Sequence, residues 1–140
     1  MPIEIEVRHK AMGVIYHCSH DLTIEDFIAA NAGFLHTPSE ISKWRYTLID
    51  LVAVESMKIN YEDVSRVVAQ NKMIAGKAVR GVLLAVASPR DLGFGLARMW
   101  EALVERVGWE TMTCRSVEEA KAWIRRRMKE KFGINVALGS

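Results

Sequence analysis

Residues 46–64 read YTLIDLVAVESMKINYEDV, and this stretch decides the fold. Residues 44–54 read as a buried strand, the next few as a loop, and Asn60 as the start of a helix. Asn60 is a good N-cap, and Ile59 and Val64 flank it as a hydrophobic staple. Val64, Val67, Val68, Ile74 and Ala75 then keep helical spacing. A strand, a loop and a capped helix in that order form the repeating unit of a parallel α/β sheet.

Working outward, Ile3, Ile5 and Val7 alternate with Glu4 and Glu6, the pattern of a strand with one wet face. HKAMG turns the chain, and residues 14–19 form a second strand, so an antiparallel hairpin is expected. In DLTIEDF, Thr23 caps a helix, Asp26 returns the bond and Leu22 packs on Phe27. That helix runs to about Phe34. Gly33 and Pro38 end it, and HTPSEISK reads as a loop.

Residues 79–87 are almost wholly apolar, as a strand covered on both faces must be. Ser88-Pro89-Arg90-Asp91 then offers a cap, a proline at the first helical position and an acid for the first turn. Leu92, Leu96, Trp100, Leu103 and Val107 give this helix its inner face, and Gly108 ends it. Residues 109–115 read as a fifth strand. Ser116 opens a last helix that runs through Lys131.

The order β-β-α-β-α-β-α-β-α predicts a single α/β domain over residues 1–140. Its sheet is five-stranded, mixed and mostly parallel, with flanking helices and right-handed crossovers.

Composition narrows the function classes. Hydrophobic residues at 50% and charged residues at 26% suit a globular domain. Nineteen Lys and Arg against 17 Asp and Glu leave +2, too little for a general nucleic-acid surface. The alternating, polar start MPIEIEVRHK does not read as a signal peptide. No apolar run approaches the ~20 residues of a membrane span. Two cysteines without a CxxC fit a reduced, cytoplasmic protein.

With this order of elements, YTLIDLVAV, GFGLARMWEALVERVG and SVEEAKAWI resemble the STAS fold of SpoIIAA-like proteins and their SEC14-like relatives. The likeness covers the chain from about Met12 to Ile124. It implies two functions: binding of a protein partner, in some members under control of a serine kinase, or holding a lipid or other apolar ligand as CRAL-TRIO proteins do. Regulated members carry an Asp-Ser pair at a helix start, where a phosphate meets free N–H groups and the positive end of the dipole. The family's spacing from Asp50 brings that pair to Lys58-Ile59, and isoleucine accepts no phosphate. Ser56 lies two residues before Lys58 and is a poor substitute.

Ligands of parallel sheets gather beyond the carboxyl ends of the strands. That rim would carry Asp50, Glu55, Ser56, Asn60 and Tyr61, then Ser88, Pro89, Arg90 and Phe94. The helix starts at Asn60 and Ser88 favour an anion, although capping alone explains both residues. Gly93 and Gly95 lie in a helical pattern without a phosphate-loop motif. Close helix–sheet packing is their plain explanation, and approach of a ligand or partner the other.

Cys18 and His20 share a face of an ideal strand and raise metal or nucleophile chemistry. No second Cys/His cluster supports a metal, and a small core residue is the plain reading of Cys18. Arg125, Arg126, Arg127, Lys129 and Lys131 read as a solvated helix end, or else as a patch for anionic lipid or nucleic acid. The four tryptophans fall at inward positions. Phe94, Met99 and Trp100 would suit an apolar ligand if they line a space beneath their helix.

The sequence therefore favours a non-enzymatic SpoIIAA-like module that binds a protein partner or pairs with itself as a homodimer. A carrier or sensor of a small apolar molecule comes second, and a Cys18–His20 enzyme third. No cofactor, metal or nucleic-acid partner is implied.

Overall fold

The computed structural model describes residues 2–10, 12–34 and 38–138. Its elements are β1 (Ile3–Arg8), β2 (Gly13–Thr23), α1 (Ile24–Phe34), α2 (Pro38–Lys43), β3 (Tyr46–Lys58) and α3 (Tyr61–Ala75). They continue with β4 (Leu83–Ala87), α4 (Asp91–Val104), a 3₁₀ turn (Glu105–Val107), β5 (Glu110–Cys114) and α5 (Val117–Phe132). The strands lie side by side in chain order, β1-β2-β3-β4-β5. β1 runs antiparallel to β2, and the other pairs are parallel. The architecture is α/β with a mostly parallel five-stranded sheet, as the sequence predicts.

Because the strand order never reverses, right-handed crossovers put the connecting helices on one face. α1, α3 and α4 pack there against Val14, Tyr16, Leu51, Leu84 and Val86. The residues between them in sequence, Ile15, Tyr46, Leu48, Leu83 and Ala85, point to the opposite face and meet α5. The period-two alternation of a strand thus builds two cores from the same three strands.

The second face is completed by the tail after α5. Gly133, at φ +68°, closes α5. The Gly133 N–H returns to the Lys129 carbonyl, an αL closure, and the Ile134 N–H reaches the Met128 carbonyl. Val136 and Leu138 are buried beyond it. His9 sits 2.7 Å from the Tyr46 hydroxyl and 3.1 Å from the Ala137 carbonyl. The tautomer that satisfies both accepts from Tyr46 at Nδ1 and donates to Ala137 from Nε2. Tyr46 lies across Gly13, where any Cβ would collide with its ring.

Five local expectations are corrected. Within HTPSEISK, Pro38–Lys43 forms a short helix, not a loop; Ile41 is buried on it, and Trp44 is buried just beyond it. His36 and Thr37 fall outside the described residues. β3 runs on through Lys58 because β2 also continues, and Ser19 to Thr23 pair with Ala53 to Lys58 past the end of β4.

α4 starts later than expected, with Arg90 as N-cap, so Ser88 is not its cap. The Ser88 side chain is buried and its hydroxyl donates to the Arg90 carbonyl at 3.1 Å. The inner face of α4 is Gly93, Ala97, Trp100 and Val104, whereas Leu92 is 58% exposed. At the edge strand β1 only Ile3 is buried; Ile5 and Val7 stay exposed.

Candidate functional site: an apolar cavity beneath three helices

An apolar space lies between the sheet and α1, α3 and α4. It is a cavity of about 100 Å³. Tyr16, Thr47, Ile49 and Leu84 line its sheet side, and Phe27, Asn31, Val67 and Asn71 reach it from α1 and α3. α4 contributes Gly93, Leu96, Ala97 and Trp100, and Trp44 and Trp109 join them. No charged residue is among the lining residues.

The inner face of α4 accounts for the space. Gly93 lets the helix approach the end of β4 so closely that a Cβ would collide with Ser88 Oγ and stand 3.4 Å from Met57 Sδ. Ala97, one turn on, lines the cavity with a single methyl group. The packing reason expected for Gly93 is therefore present. Gly95 has open space where its Cβ would be.

The polar groups of the wall are mostly paired. The Tyr16 hydroxyl donates to Asn31 Oδ1 at 2.6 Å. Asn31 donates on to Gln70 Oε1 at 2.9 Å, and Gln70 donates to the Ile28 carbonyl at 2.9 Å. This chain joins β2, α1 and α3, and burial pushes the Tyr16 phenol above its ordinary pKa. The Trp44 indole donates to Thr47 Oγ1 at 2.8 Å, and the Trp100 indole to Asn71 Oδ1 at 2.9 Å. The Trp109 indole N–H is buried without an acceptor among the described residues. A buried group left so costs about 1–3 kcal/mol.

At the strand rim, the structure brings Ser56, Ser88 and Arg90 round a depression of about 40 Å³, beside Glu55, Leu92 and Gly93. Arg90 donates to the carbonyls of Val54 and Glu55 at 2.7 and 3.0 Å, tying α4 to the overhang of β3. The Ser56 hydroxyl donates to Asp21 at 2.7 Å from within a strand, not from the first turn of a helix. The remaining rim residues are dispersed. Asp50 accepts from its neighbour Val52. Asn60 and Asp63 form a reciprocal capping box on α3, and Tyr61 is exposed.

Phe94 and Met99 do not line the cavity. Phe94 lies under the Arg115 guanidinium, 3.9 Å from the ring centroid. Arg115 is held in turn by Asp91 at 2.9 Å. Met99 packs partly buried at the margin of the core.

The pairing of Cys18 with His20 that an ideal strand would allow does not form, and Cys18 is a small core residue. A register shift between His17 and Ser19 breaks the alternation at Cys18. Cys18 is 3% exposed, its thiol directed at the Tyr16 carbonyl, while His20 is exposed near Glu55 at φ +58°. Burial, with Asp50 and Asp26 adding to it, pushes the Cys18 thiol up to about 12. A thiol so held is no nucleophile at neutral pH. Among the described residues no group of three or more His, Cys, Asp or Glu is placed to hold a metal.

The basic end of α5 is largely engaged on its own surface. Arg127 grips both Glu110 oxygens at 3.0 and 2.9 Å, Lys131 approaches the same carboxylate, and Arg126 pairs with Glu130.

Sequence reasoning missed Tyr16, Asn31, Thr47, Asn71 and Trp109 as a group. Asn71 did leave a trace, standing two turns after Val64 on an otherwise apolar stripe.

No helix among the described residues is long and apolar enough to cross a membrane. Comparison of the chain with protein-family models, with curated proteins and with solved structures finds no match.

Proposed function

We propose that the protein is a non-enzymatic, STAS/SpoIIAA-like cytoplasmic module that holds a small apolar ligand between its sheet and α1, α3 and α4. The observation that carries this reading is the uncharged cavity walled by Trp44, Trp100 and Trp109. Binding sites for small molecules are typically concave and apolar, with a few placed polar groups. The size narrows the ligand. An engineered apolar cavity of ~150 Å³ takes up benzene, so about 100 Å³ suits a molecule no larger than one ring, not a two-chain lipid.

The ligand would touch three surface helices at once, so occupancy can be sensed outside. The kinase-switch form of the family draws no support here. Lys58 ends a strand, and Ile59 lines the cavity.

The test is mass spectrometry of protein purified from its own source, native against denatured. The expected result is an extra mass of one small organic molecule on the 15.8 kDa chain. Ala97→Leu, which fills the cavity, should lose that mass. Identical native and denatured masses for the unmodified chain would count against the reading.

A second reading, partner binding or homodimer formation, is favoured by one observation. β1 is an open edge strand with Ile5 and Val7 exposed, and such edges readily pair with another strand. Sedimentation of the purified chain tests self-pairing: a dimer lost in Val7→Lys supports it, and a monomer at all concentrations rejects it.

A further inference from the structure

β1 lies at one edge of the sheet, and a single bond fixes the phase of its backbone: the Ser19 N–H donates to the Pro2 carbonyl at 2.8 Å. Successive residues of a strand turn their N–H and C=O groups to opposite sides. Glu4, Glu6 and Arg8 therefore face β2, and Ile3, Ile5 and Val7 present theirs outward. The register against β2 is unbroken from Ile3 to Arg8, with no proline or lysine in the strand to blunt the edge. Ile5 and Val7 are exposed on the face they share with Tyr16 and Val14, under α1. β5, the opposite edge, exposes no large hydrophobic residue among the described residues.

We infer that β1 pairs antiparallel with β1 of a second copy of this chain, Ile5 opposite the partner's Val7 and Glu4 opposite the partner's Arg8. The two sheets then join edge to edge. This rests on the self-pairing reading above and gives it a register, which the strand's own sequence selects. Shifted by one pleat, Ile5 would meet itself, but Glu4 would face Glu6 on both sides of the axis, and like charges so placed repel. Shifted the other way, Glu6 would face Arg8, but Ile5 would fall opposite His9, whose φ of +52° lies past the end of the strand. In the inferred register both Ile5–Val7 pairs exchange their backbone hydrogen bonds and bury their side chains on the same face. Arg8 can reach the partner: its Nε is 3.3 Å from Glu6 and its Nη1 3.4 Å from the Leu138 carbonyl, leaving Nη2 for Glu4. Only Glu6 meets its own copy, at the axis, and each Glu6 is already held by His17 at 2.8 Å and by Arg8.

The experiment is sedimentation of the intact chain and of Glu4→Arg and Arg8→Glu, each alone and then mixed. The unmodified chain is expected to dimerise. Each variant sets like charges across the axis twice and should weaken its own dimer about tenfold. The equal mixture should recover the dimer, because every positive charge at these positions then opposes a negative one. Amide exchange of the unmodified chain decides the matter even where a variant folds poorly: the Ile5 and Val7 N–H groups should be protected in concentrated protein and exchange rapidly on dilution. A dimer that leaves both amides unprotected, or variants that dimerise as tightly as the unmodified chain, would overturn the register and leave self-pairing standing. A monomer at every concentration would overturn both.

Discussion

The indole N–H of Trp100 donates to Oδ1 of Asn71 across 2.9 Å, tying α4 to α3 beside the cavity. Both residues are buried, so this bond has little competition from water. Asn71→Ala leaves the indole donor unpaired and should cost about 1–3 kcal/mol in urea unfolding. Adding Trp100→Phe removes the orphaned donor. The double-mutant cycle should therefore show coupling of about 0.5–3 kcal/mol between the two sites. Simple additivity of the two variants would show that the bond contributes nothing.

Two glycines one turn or less apart in α4 should respond in opposite directions. Gly93→Ala places a methyl group against Ser88 Oγ and forces helix and strand apart, at about 1–3 kcal/mol. Gly95→Ala meets open space and gains helix propensity, stabilising by about 0.5–1 kcal/mol. Thermal melting of the two variants checks the contrast. Equal effects would contradict the close approach at Ser88.

The Cys18 thiol should resist aromatic disulfide reagents at pH 8 in the folded protein and react fully in urea. Its pKa of about 12 against an ordinary 9.0 means that the folded state holds this proton more tightly than the unfolded state. The stability tied to it is present below pH 9 and is lost as pH rises toward 12. Tyr46, pushed up to about 12 from 10.0 by burial, acts in the same direction. Unfolding midpoints in urea should therefore fall steadily above about pH 9. Cys18→Ala should soften that decline, and an unchanged alkaline slope would show that Cys18 has no part in it.

Much of the scaffold was legible because it is written locally. Asn60 caps α3 as the sequence implied, and the alternation through Tyr46, Leu48 and Ile49 divides those residues between two cores. The end of β3 was not legible. Glu55 to Lys58 are too polar to announce a strand, and they hold that form through pairing with β2, a long-range relation. Pro38–Lys43 lay in a polar run whose helix rests on burying Ile41.

The cavity was legible only in part, Trp100 lining it and Phe94 and Met99 not, because a void belongs to several packed elements and to no one segment. Its visible trace was the spacing Gly93, Ala97, Trp100 and Val104. Of the expected inner face, Leu96, Trp100, Leu103 and Val107 do pack on the core, and only Leu92 falls outside it.

Uptake of an apolar molecule by the space beneath α1, α3 and α4 is tested most directly by thermal melting against benzene concentration. A ligand that binds only the folded state adds ~2.7 kcal/mol at a hundredfold excess over Kd, roughly 5–15 °C for a chain of this size. The melting temperature should climb with ligand in the unmodified protein and stay flat in Ala97→Leu. A melting temperature that does not move up to the solubility limit of the probe would contradict it.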